Sequence, residues 1–250
     1  MSISDEYKRQ FGWRNWPAVF EAIPSVQGQT ILDLGCGVGD IAAELVHRGA
    51  RVIGVDIYEE FLREARSRQL PNAEFRAADL RALPDFGVDV DGVWSSFTAA
   101  YFPDLSLALA ACTKGLRPAG WIALTEIDDL FGHEPLSTQT KGLLAAYAED
   151  ARAAGRYDFF MGRKLKHHLE RSGFVVSKTL ILSDSEFSFD GPAGPDVLKA
   201  WQRRLSRMTL LRDFCGPKMD HVENEFLDCL MRPDHRSMAK VYCCIATARS

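Results

Sequence analysis

The residues best suited to chemistry lie in a glycine-rich turn, residues 33–40 (DLGCGVGD), between an apolar run and a helical pattern. Glycines at such a turn let the backbone bend sharply and leave room for a ligand against bare N–H groups at a helix start. Asp56 and Asp79 follow two further predicted strands. Carboxylates at these points can accept hydrogen bonds from ribose hydroxyls and from an adenine amino group. Together with Asp33 they suit a ligand that contains a cationic adenosine.

The glycine spacing separates this turn from that of dinucleotide-binding enzymes. It is G-x-G-x-G, and Asp40 occupies the place of the third glycine in G-x-G-x-x-G. An acidic side chain there would repel a pyrophosphate, which disfavours a nicotinamide oxidoreductase. Asp33 and Asp40 also have plain interpretations, as a strand-end aspartate and a helix N-cap.

Alternating strand and helix patterns must position these residues. Strands are predicted at 31–34, 51–56, 73–77, 88–95 and 121–125, with helices over 40–47, 59–67 and 105–116 between them. Such alternation predicts right-handed βαβ units and an α/β fold with a parallel sheet covered on both faces. The acids then meet at the carboxyl ends of the first three strands, the edge where open α/β sheets bind ligands.

Beyond residue 126 the pattern loosens. Helices are predicted over 138–154 and 163–172, and strands over 174–182 and 239–248. The insertion at 190–237 contains a helix with an apolar stripe. Its basic residues could form a wall facing an acidic substrate or an ordinary solvated face. These residues are Lys199, Arg203, Arg204, Arg207 and Arg212.

Composition sets the broad class. The chain has 250 residues, a formal net charge of −4 and 46% hydrophobic residues. It is long enough to fold without disulfide or metal staples, and the acidic balance argues against a nucleic-acid binder. The charged N-terminus and the lack of a long apolar run predict a cytoplasmic protein with no membrane contact. The series Cys215, His221, Cys229, His235 lacks the usual zinc spacing, so we expect no metal.

Four ordered motifs resemble those of class I S-adenosylmethionine-dependent methyltransferases of the small-molecule type. They are residues 31–39 (ILDLGCGVG), 52–56 (VIGVD), 76–80 (RAADL) and 114–120 (KGLRPAG). The resemblance implies a Rossmann-like, seven-stranded, mostly parallel sheet whose antiparallel last strand lies beside the fifth, with a helical substrate cap. Ala119 departs from the family, which usually has the first of two glycines there. That change should shift a turn without touching the ligand.

The resemblance also implies a domain layout. Residues 1–250 would form one domain, with residues 1–28 as lid helices over the 29–126 cofactor-binding core. Segments 127–160 and 190–237 would form the substrate cap, and 174–182 with 239–248 the final strand pair.

Carried over to this sequence, the family motifs imply a binding site for S-adenosylmethionine. Gly35, Cys36 and Gly37 would approach the methionine part, Asp56 the ribose and Ile57 the adenine. The remaining implied contacts are Asp79 and Leu80 at the adenine edge, and Ser95 under the methionine amino group and sulfonium. The lid would add aromatic side chains, since aromatic faces favour a cation. These are Tyr7, Phe11, Trp13 and Trp16, which could equally be core anchors.

Methyl transfer from a sulfonium mainly needs alignment in a dry pocket. Arg14 could pair with the methionine carboxylate or lie on the surface. His133 is the candidate general base, because it follows the fifth strand and imidazole suits neutral pH. Tyr101 and Glu126 are further catalytic candidates. Asp128 and Asp129 lack a third ligand at recognisable spacing, so no catalytic metal is expected.

The sequence predicts methyl transfer to the O, N or C of a small-molecule acceptor, with a peptide left open. Residues 94–97 (WSSF) lack the Asn-Pro-Pro-Tyr type of motif that marks many methylases of base amino groups. The alternative is a non-methylating enzyme that binds the same cofactor, such as a lyase, cyclase or aminopropyltransferase, because fold does not fix chemistry. A non-catalytic partner subunit is a further alternative.

Overall fold

One mixed sheet forms the centre of the protein. A computed structural model describes residues 3–82 and 86–249. The strands of the described part are β1 (Thr30–Leu34), β2 (Arg51–Asp56), β3 (Ala73–Ala77), β4 (Val90–Ser96), β5 (Leu116–Asp128), β6 (His133–Glu134), β7 (Phe174–Leu182), β8 (Arg236–Ser237) and β9 (Lys240–Ala248). The large sheet has the order β3-β2-β1-β4-β5-β9-β7, and β9 runs antiparallel to both of its neighbours. The predicted Rossmann-like fold with an antiparallel last strand is confirmed.

Helices cover both faces of this sheet. They are α1 (Ile3–Phe11), α2 (Trp16–Ala22), α3 (Asp40–His47), α4 (Glu59–Ser67), α5 (Leu105–Cys112), α6 (Thr138–Ala153), α7 (Leu165–Arg171), α8 (Pro195–Arg207), α9 (Thr209–Cys215) and α10 (Met219–Met231). Successive strand residues point to opposite faces, so Ile31 packs into the core beneath α3 and α4, and Leu32 into the core beneath α5 and α7. The near-continuous apolar runs of β1 and β2 follow from this double burial.

The segment between α5 and β5 differs from the prediction. The helix ends at Cys112 rather than near residue 116, and β5 begins at Leu116. Ala119, in the family's glycine position, has a left-handed φ of +61°. A glycine would adopt that conformation without strain, whereas an alanine pays a modest steric penalty.

The insertion at 190–237 folds into α8, α9, α10 and the short strand β8. We define the cap core as the aromatic side chains that meet where this insertion packs on β6 and the segment around Phe131. Trp201 and Phe226 lie with ring centroids 5.0 Å apart, and both flank His133. The helical stripe predicted for this insertion is therefore buried against the rest of the cap.

Helix α1 bridges the sheet layer and the cap. Glu6 accepts from Arg203 and Arg207 of α8 at 2.9 and 2.7 Å, while Lys8 pairs with Glu64 of α4 at 2.6 Å. Two of the five basic residues predicted to form a substrate-facing wall or a solvated face thus bind the N-terminal helix instead. Their sequence spacing could not show this, because the partner lies about 200 positions away.

No helix within residues 3–82 and 86–249 combines the length and apolar character needed to cross a bilayer. The cytoplasmic location and the absence of nucleic-acid binding stay predictions.

Candidate active site at the carboxyl edge of the sheet

The glycine turn is clamped to the end of β2. The N–H groups of Gly35 and Cys36 both donate to the Val55 carbonyl, at 2.8 and 3.0 Å. The Gly37 N–H donates to Asp56 Oδ2 at 2.9 Å. We expected bare N–H groups facing a ligand, but these three hold the turn against its neighbour. The turn therefore offers a rigid floor rather than an anion cradle.

Two glycines of the turn have different surroundings. Gly35 has φ +74°, and a Cβ there would lie 2.1 Å from Thr98 Oγ1. Gly37 has φ +52°, and a Cβ there would meet no atom within 4 Å. The turn is thus closed by Thr98 over Gly35 and open over Gly37. The open face is where a ligand can approach the backbone.

Alanine substitutions should separate these two surroundings. Gly35→Ala is expected to lower the free energy of unfolding by about 1–3 kcal/mol, because Thr98 must move and the φ is strained. Gly37→Ala should fold with a smaller loss but bind S-adenosylhomocysteine about 10-fold more weakly, since its methyl group enters the open face. Thermal unfolding and calorimetric titration measure the two effects. Equal cofactor affinity in Gly37→Ala and the unmodified protein would contradict this placement.

The two acids at the centre of the edge differ in charge. Asp56 accepts from the backbone N–H groups of Gly37 and Tyr58, both at 2.9 Å. Asp33 is 2% exposed, and burial together with the nearby Asp56 charge raises its pKa to about 8. Asp33 is therefore largely protonated at neutral pH, contrary to the expectation that it faces a cationic ligand as a carboxylate. Its Oδ2 has no hydrogen-bond partner among the described residues.

Several other predicted cofactor positions have side chains already engaged. Both carboxylate oxygens of Asp79 bind Arg81, which lowers the pKa of Asp79. The Ser95 hydroxyl donates to the Leu34 carbonyl at 2.9 Å. The side chains of Leu80 and Cys36 are buried, and burial raises the pKa of the Cys36 thiol. By contrast, Ile57 is 45% exposed beside Asp56, as a residue that packs on an adenine should be.

The aromatic residues near the N-terminus divide into two groups. Trp16 is buried and packs on Phe11, Trp94 and Phe97, so it is a core anchor. Trp13 is half-buried against the same core. Tyr7 is 42% exposed, with its ring against Phe61 of α4, and the charge of Asp56 acts on its hydroxyl. Tyr7 therefore lies near Asp56 at the carboxyl edge of the sheet, and its role in a lid over the cofactor stays a prediction.

Arg14 is not on the surface and has partners inside the protein. Its guanidinium lies 3.0 Å from Glu186 Oε2 and 3.3 Å from Asp184 Oδ2. It also lies over the rings of Phe97 and Phe187. This engagement leaves little of the guanidinium for a methionine carboxylate. The contact of Arg14 with the cofactor stays a prediction, and these ion pairs disfavour it.

Four tyrosines from four segments form what we call the tyrosine cluster, and two of them, Tyr7 and Tyr58, contact the ring of Phe61 near Asp56. They are Tyr7 of α1, Tyr58 before α4, Tyr101 after β4 and Tyr157 after α6. The rings of Tyr101 and Tyr157 meet edge-to-face at 4.8 Å. Tyr101 is 53% exposed, and desolvation raises the pKa of its hydroxyl to about 12.

Glu126 supports the cluster from beneath. It is fully buried at the end of β5 and accepts from the Ala100 N–H at 3.1 Å and the Ile127 N–H at 2.9 Å. Burial raises its pKa to about 7. The backbone of the 99–101 turn therefore rests on this carboxyl, which positions Tyr101. A positioning role fits these contacts better than direct contact with a substrate.

The structure places His133 away from solvent, in the cap core. Its imidazole is 1% exposed, with Nδ1 2.9 Å from His235 Nε2. Burial, with a smaller contribution from His235, lowers its pKa to about 3. His235 Nδ1 lies 2.9 Å from the Gly191 carbonyl, which fixes both rings as neutral tautomers in one chain of hydrogen bonds. His133 is thus not placed to take a proton from a substrate, and its position after β5 was a misleading signal.

This histidine pair should make stability depend on pH. Because the pKa of His133 falls on folding, the unfolded chain takes up a proton below pH 6.5 that the folded protein excludes down to about pH 3. Stability from this group is present above pH 6.5 and lost as pH falls, by about 1.4 kcal/mol per pH unit. The raised pKa values of Asp33 and Glu126 have the opposite effect, because they make stability fall as pH rises. The test therefore compares the pH dependence of a variant with that of the unmodified protein. His133→Asn keeps a donor toward His235, and its unfolding free energy should decline less between pH 6 and 4. Equal slopes would contradict the burial of a neutral His133.

Sequence reasoning named Arg204 only as one of five basic residues that form a substrate-facing wall or a solvated face. Arg204 lies three residues after Trp201 and directly before Leu205, so helical spacing could have distinguished it from the other four. The partnerships of Glu186 with two arginines and of His133 with His235 join distant segments and left no local signal. Within the described residues, no three His, Cys, Asp or Glu side chains are grouped as metal ligands.

The comparison with known proteins agrees with this geometry. A family model described as a methyltransferase domain matches residues 31–120, which contain the glycine turn, Asp56 and Asp79. Residues 31–120 therefore belong to the methyltransferase-domain family that this model describes. The trans-aconitate 2-methyltransferase of Azoarcus sp. (strain BH72) is 38% identical over 136 residues, which are 52% of this chain and 52% of that protein. The chain spans about half the length of the curated relatives that it matches.

Solved structures share the fold of this chain over nearly its whole length. An S-adenosylmethionine-dependent methyltransferase from Mesorhizobium loti has a TM-score of 0.54 at 22% identity, covering 92% of this chain and 96% of that one. A [4+2]-cyclase, SpnF, has a TM-score of 0.60 at 16% identity, covering 93% and 78%. Since one fold appears with two chemistries, the fold alone does not determine the activity of this chain.

Proposed function

We propose that this protein transfers a methyl group from S-adenosylmethionine to a small-molecule acceptor. The observation that carries the proposal is the joint placement of an open Gly37 and a buried Asp56 at the carboxyl edge of β1 and β2. A backbone without a side chain gives a ligand room, and a fixed carboxylate selects for hydroxyl donors. Asp56 is already oriented by two N–H groups, so it needs no rearrangement to accept from a ribose.

The residues present fit this cofactor. Asp56 would hold the ribose hydroxyls and Ile57 the adenine face, while the open side of Gly37 would admit the methionine part. Tyr7 would lie across the edge as part of the lid. The positions of Cys36, Leu80 and Ser95 would contribute backbone contacts, because their side chains are buried or bonded elsewhere. Asp79 would have to share its carboxylate with Arg81 to reach the adenine amino group.

The cofactor supplies an electrophilic methyl carbon on a sulfonium, and its transfer leaves S-adenosylhomocysteine as a neutral thioether. The protein's own contribution is alignment and exclusion of water. Helix α1 closes over the edge through its ion pairs to α4 and α8, and the tyrosine cluster lines the space beside Asp56. Glu126 fixes the turn that carries Tyr101.

The acceptor is proposed to be a small molecule, with a peptide as the wider possibility. The name of the trans-aconitate 2-methyltransferase relative supports a compact acceptor. The alternative is a non-methylating enzyme with the same cofactor, favoured only by the fold shared with the cyclase.

Label transfer separates the two functions. The purified protein is incubated with S-adenosylmethionine labelled at its methyl group and a panel of small acids, amines and phenols. We expect label in one acceptor class and an equal amount of S-adenosylhomocysteine. Binding of S-adenosylhomocysteine with no transfer to any class would favour the alternative, and no binding would contradict both.

A further inference from the structure

The guanidinium of Arg204 is held in one orientation inside the cap. Its Nη2 donates to Glu186 Oε1 at 2.6 Å. The group lies over the rings of Phe187 and Trp201, 4.9 and 5.6 Å from their centroids. Aromatic faces and a fixed carboxylate restrict the rotamers of a long side chain. Arg204 is therefore preorganised rather than mobile.

Part of this guanidinium has no partner within the protein. Within residues 3–82 and 86–249, Nη1 of Arg204 makes no hydrogen bond, and its buried Nε has none either. The Arg204 side chain keeps a 25% exposed fraction. Unpaired N–H groups of a partly buried cation are costly unless a ligand or water satisfies them. Arg204 thus has hydrogen-bonding capacity to spare.

Arg204 shares its carboxylate partner with a second arginine. Glu186 accepts from Arg204 through Oε1, and its other oxygen accepts from Arg14 Nη2 at 3.0 Å. Arg14 has a second carboxylate, Asp184, whose Oδ2 lies 3.3 Å from the Arg14 Nε and whose Oδ1 accepts from the N–H groups of Glu186 and Phe187. Arg204, by contrast, pairs with Glu186 alone among the carboxylates of residues 3–82 and 86–249.

A chain of contacts joins Arg204 to the glycine turn. Arg204 lies over the ring of Phe187, that ring lies 6.1 Å from the ring of Phe97, and the next residue, Thr98, closes over Gly35. The charge of Arg204 lowers the pKa of Tyr7, Tyr101 and Tyr157, against the larger effect of burial on each. The same Tyr7 hydroxyl is influenced by Asp56. Since burial raises all three pKa values, these hydroxyls stay protonated and can donate to an anion. The tyrosine cluster thus connects the proposed ribose-binding carboxylate with Arg204.

We infer that Arg204 binds a carboxylate of the methyl acceptor, so that the acceptor is a small organic acid. This inference rests on the proposed function. A guanidinium edge and phenolic hydroxyls together match the planar geometry and charge of a carboxylate. The same group would repel an acceptor bound as an amine cation at this position. Arg204 is then a residue that determines specificity, and the methylated atom belongs to another part of the same molecule.

Calorimetric titration in the presence of S-adenosylhomocysteine tests this. The probes are succinate and benzoate, each paired with its neutral amide, succinamide and benzamide. We expect the unmodified protein to bind at least one acid about 10- to 100-fold more tightly than its amide. In Arg204→Gln that preference should disappear, while the affinity for S-adenosylhomocysteine changes less than about 2-fold.

Arg212→Gln is the matched control, because it removes the same charge from an arginine that pairs with Asp220 and Glu223 on the far side of the cap. It should keep the preference for the acid. If Arg204→Gln fails to fold, Arg204→Lys retains the charge and should show an intermediate preference. Equal binding of acids and amides by the unmodified protein would overturn the inference alone. If the unmodified protein does not bind S-adenosylhomocysteine, both this inference and the proposed function are overturned.

Discussion

Replacing Glu186 with alanine is expected to lower the free energy of unfolding by about 3–5 kcal/mol, because it leaves two guanidinium groups without their shared carboxylate. Glu186 is fully buried and accepts from Arg204 at 2.6 Å and from Arg14 at 3.0 Å. It also accepts from Gln10 at 3.3 Å, so the lid helix loses a contact as well. Urea unfolding at neutral pH measures the loss.

An exposed ion pair provides the comparison for Glu186. Glu44→Ala removes a carboxylate that pairs with Arg48 one helical turn away, at 2.8 Å. That loss should stay below about 1 kcal/mol, because solvent screens exposed pairs. Similar losses in Glu186→Ala and Glu44→Ala would contradict the description of Glu186 as the link between the lid and the cap.

Replacing Asp56 with alanine should weaken the binding of S-adenosylhomocysteine by about 1–3 kcal/mol, which is roughly 10- to 100-fold. Two effects combine. The ribose loses its acceptor, and the N–H groups of Gly37 and Tyr58 lose the carboxylate that holds the turn. Titration of the folded variant with S-adenosylhomocysteine gives the affinity.

Asp91→Ala is the control for Asp56. Asp91 also accepts from a backbone N–H, that of Thr30, and pairs with Arg117. It lies at the amino-terminal end of β4, whereas Asp56 lies at the carboxyl-terminal end of β2. It should leave the cofactor affinity unchanged. If a folded Asp56→Ala variant binds as tightly as the Asp91→Ala variant, Asp56 does not hold the ribose.

The sequence was sufficient for the framework of the fold. Apolar runs bounded by glycines and acids located β1 and β2, because parallel strands buried on both faces are mostly apolar. The same patterns failed between α5 and β5. There the apolar helix and the following strand have similar composition. Ala119 also has a left-handed φ, which the presence of an alanine does not predict.

The site could be predicted only where it is local. The glycine turn and Asp56 follow from chain positions within one βαβ unit. By contrast, His133 was assigned to the substrate side from its place after β5, yet its burial against Trp201 and Phe226 depends on residues 68 and more positions away. The protonated state of Asp33 likewise results from three-dimensional burial, which no motif encodes.

The most direct test of a cationic adenosine site at the glycine turn is a competition titration of the unmodified protein with S-adenosylhomocysteine and NADH. We predict that S-adenosylhomocysteine binds and that NADH neither binds nor displaces it, because Asp40 stands in the place of the third glycine of a dinucleotide-binding turn. Tight binding of NADH without binding of S-adenosylhomocysteine would contradict both the site and the proposed function.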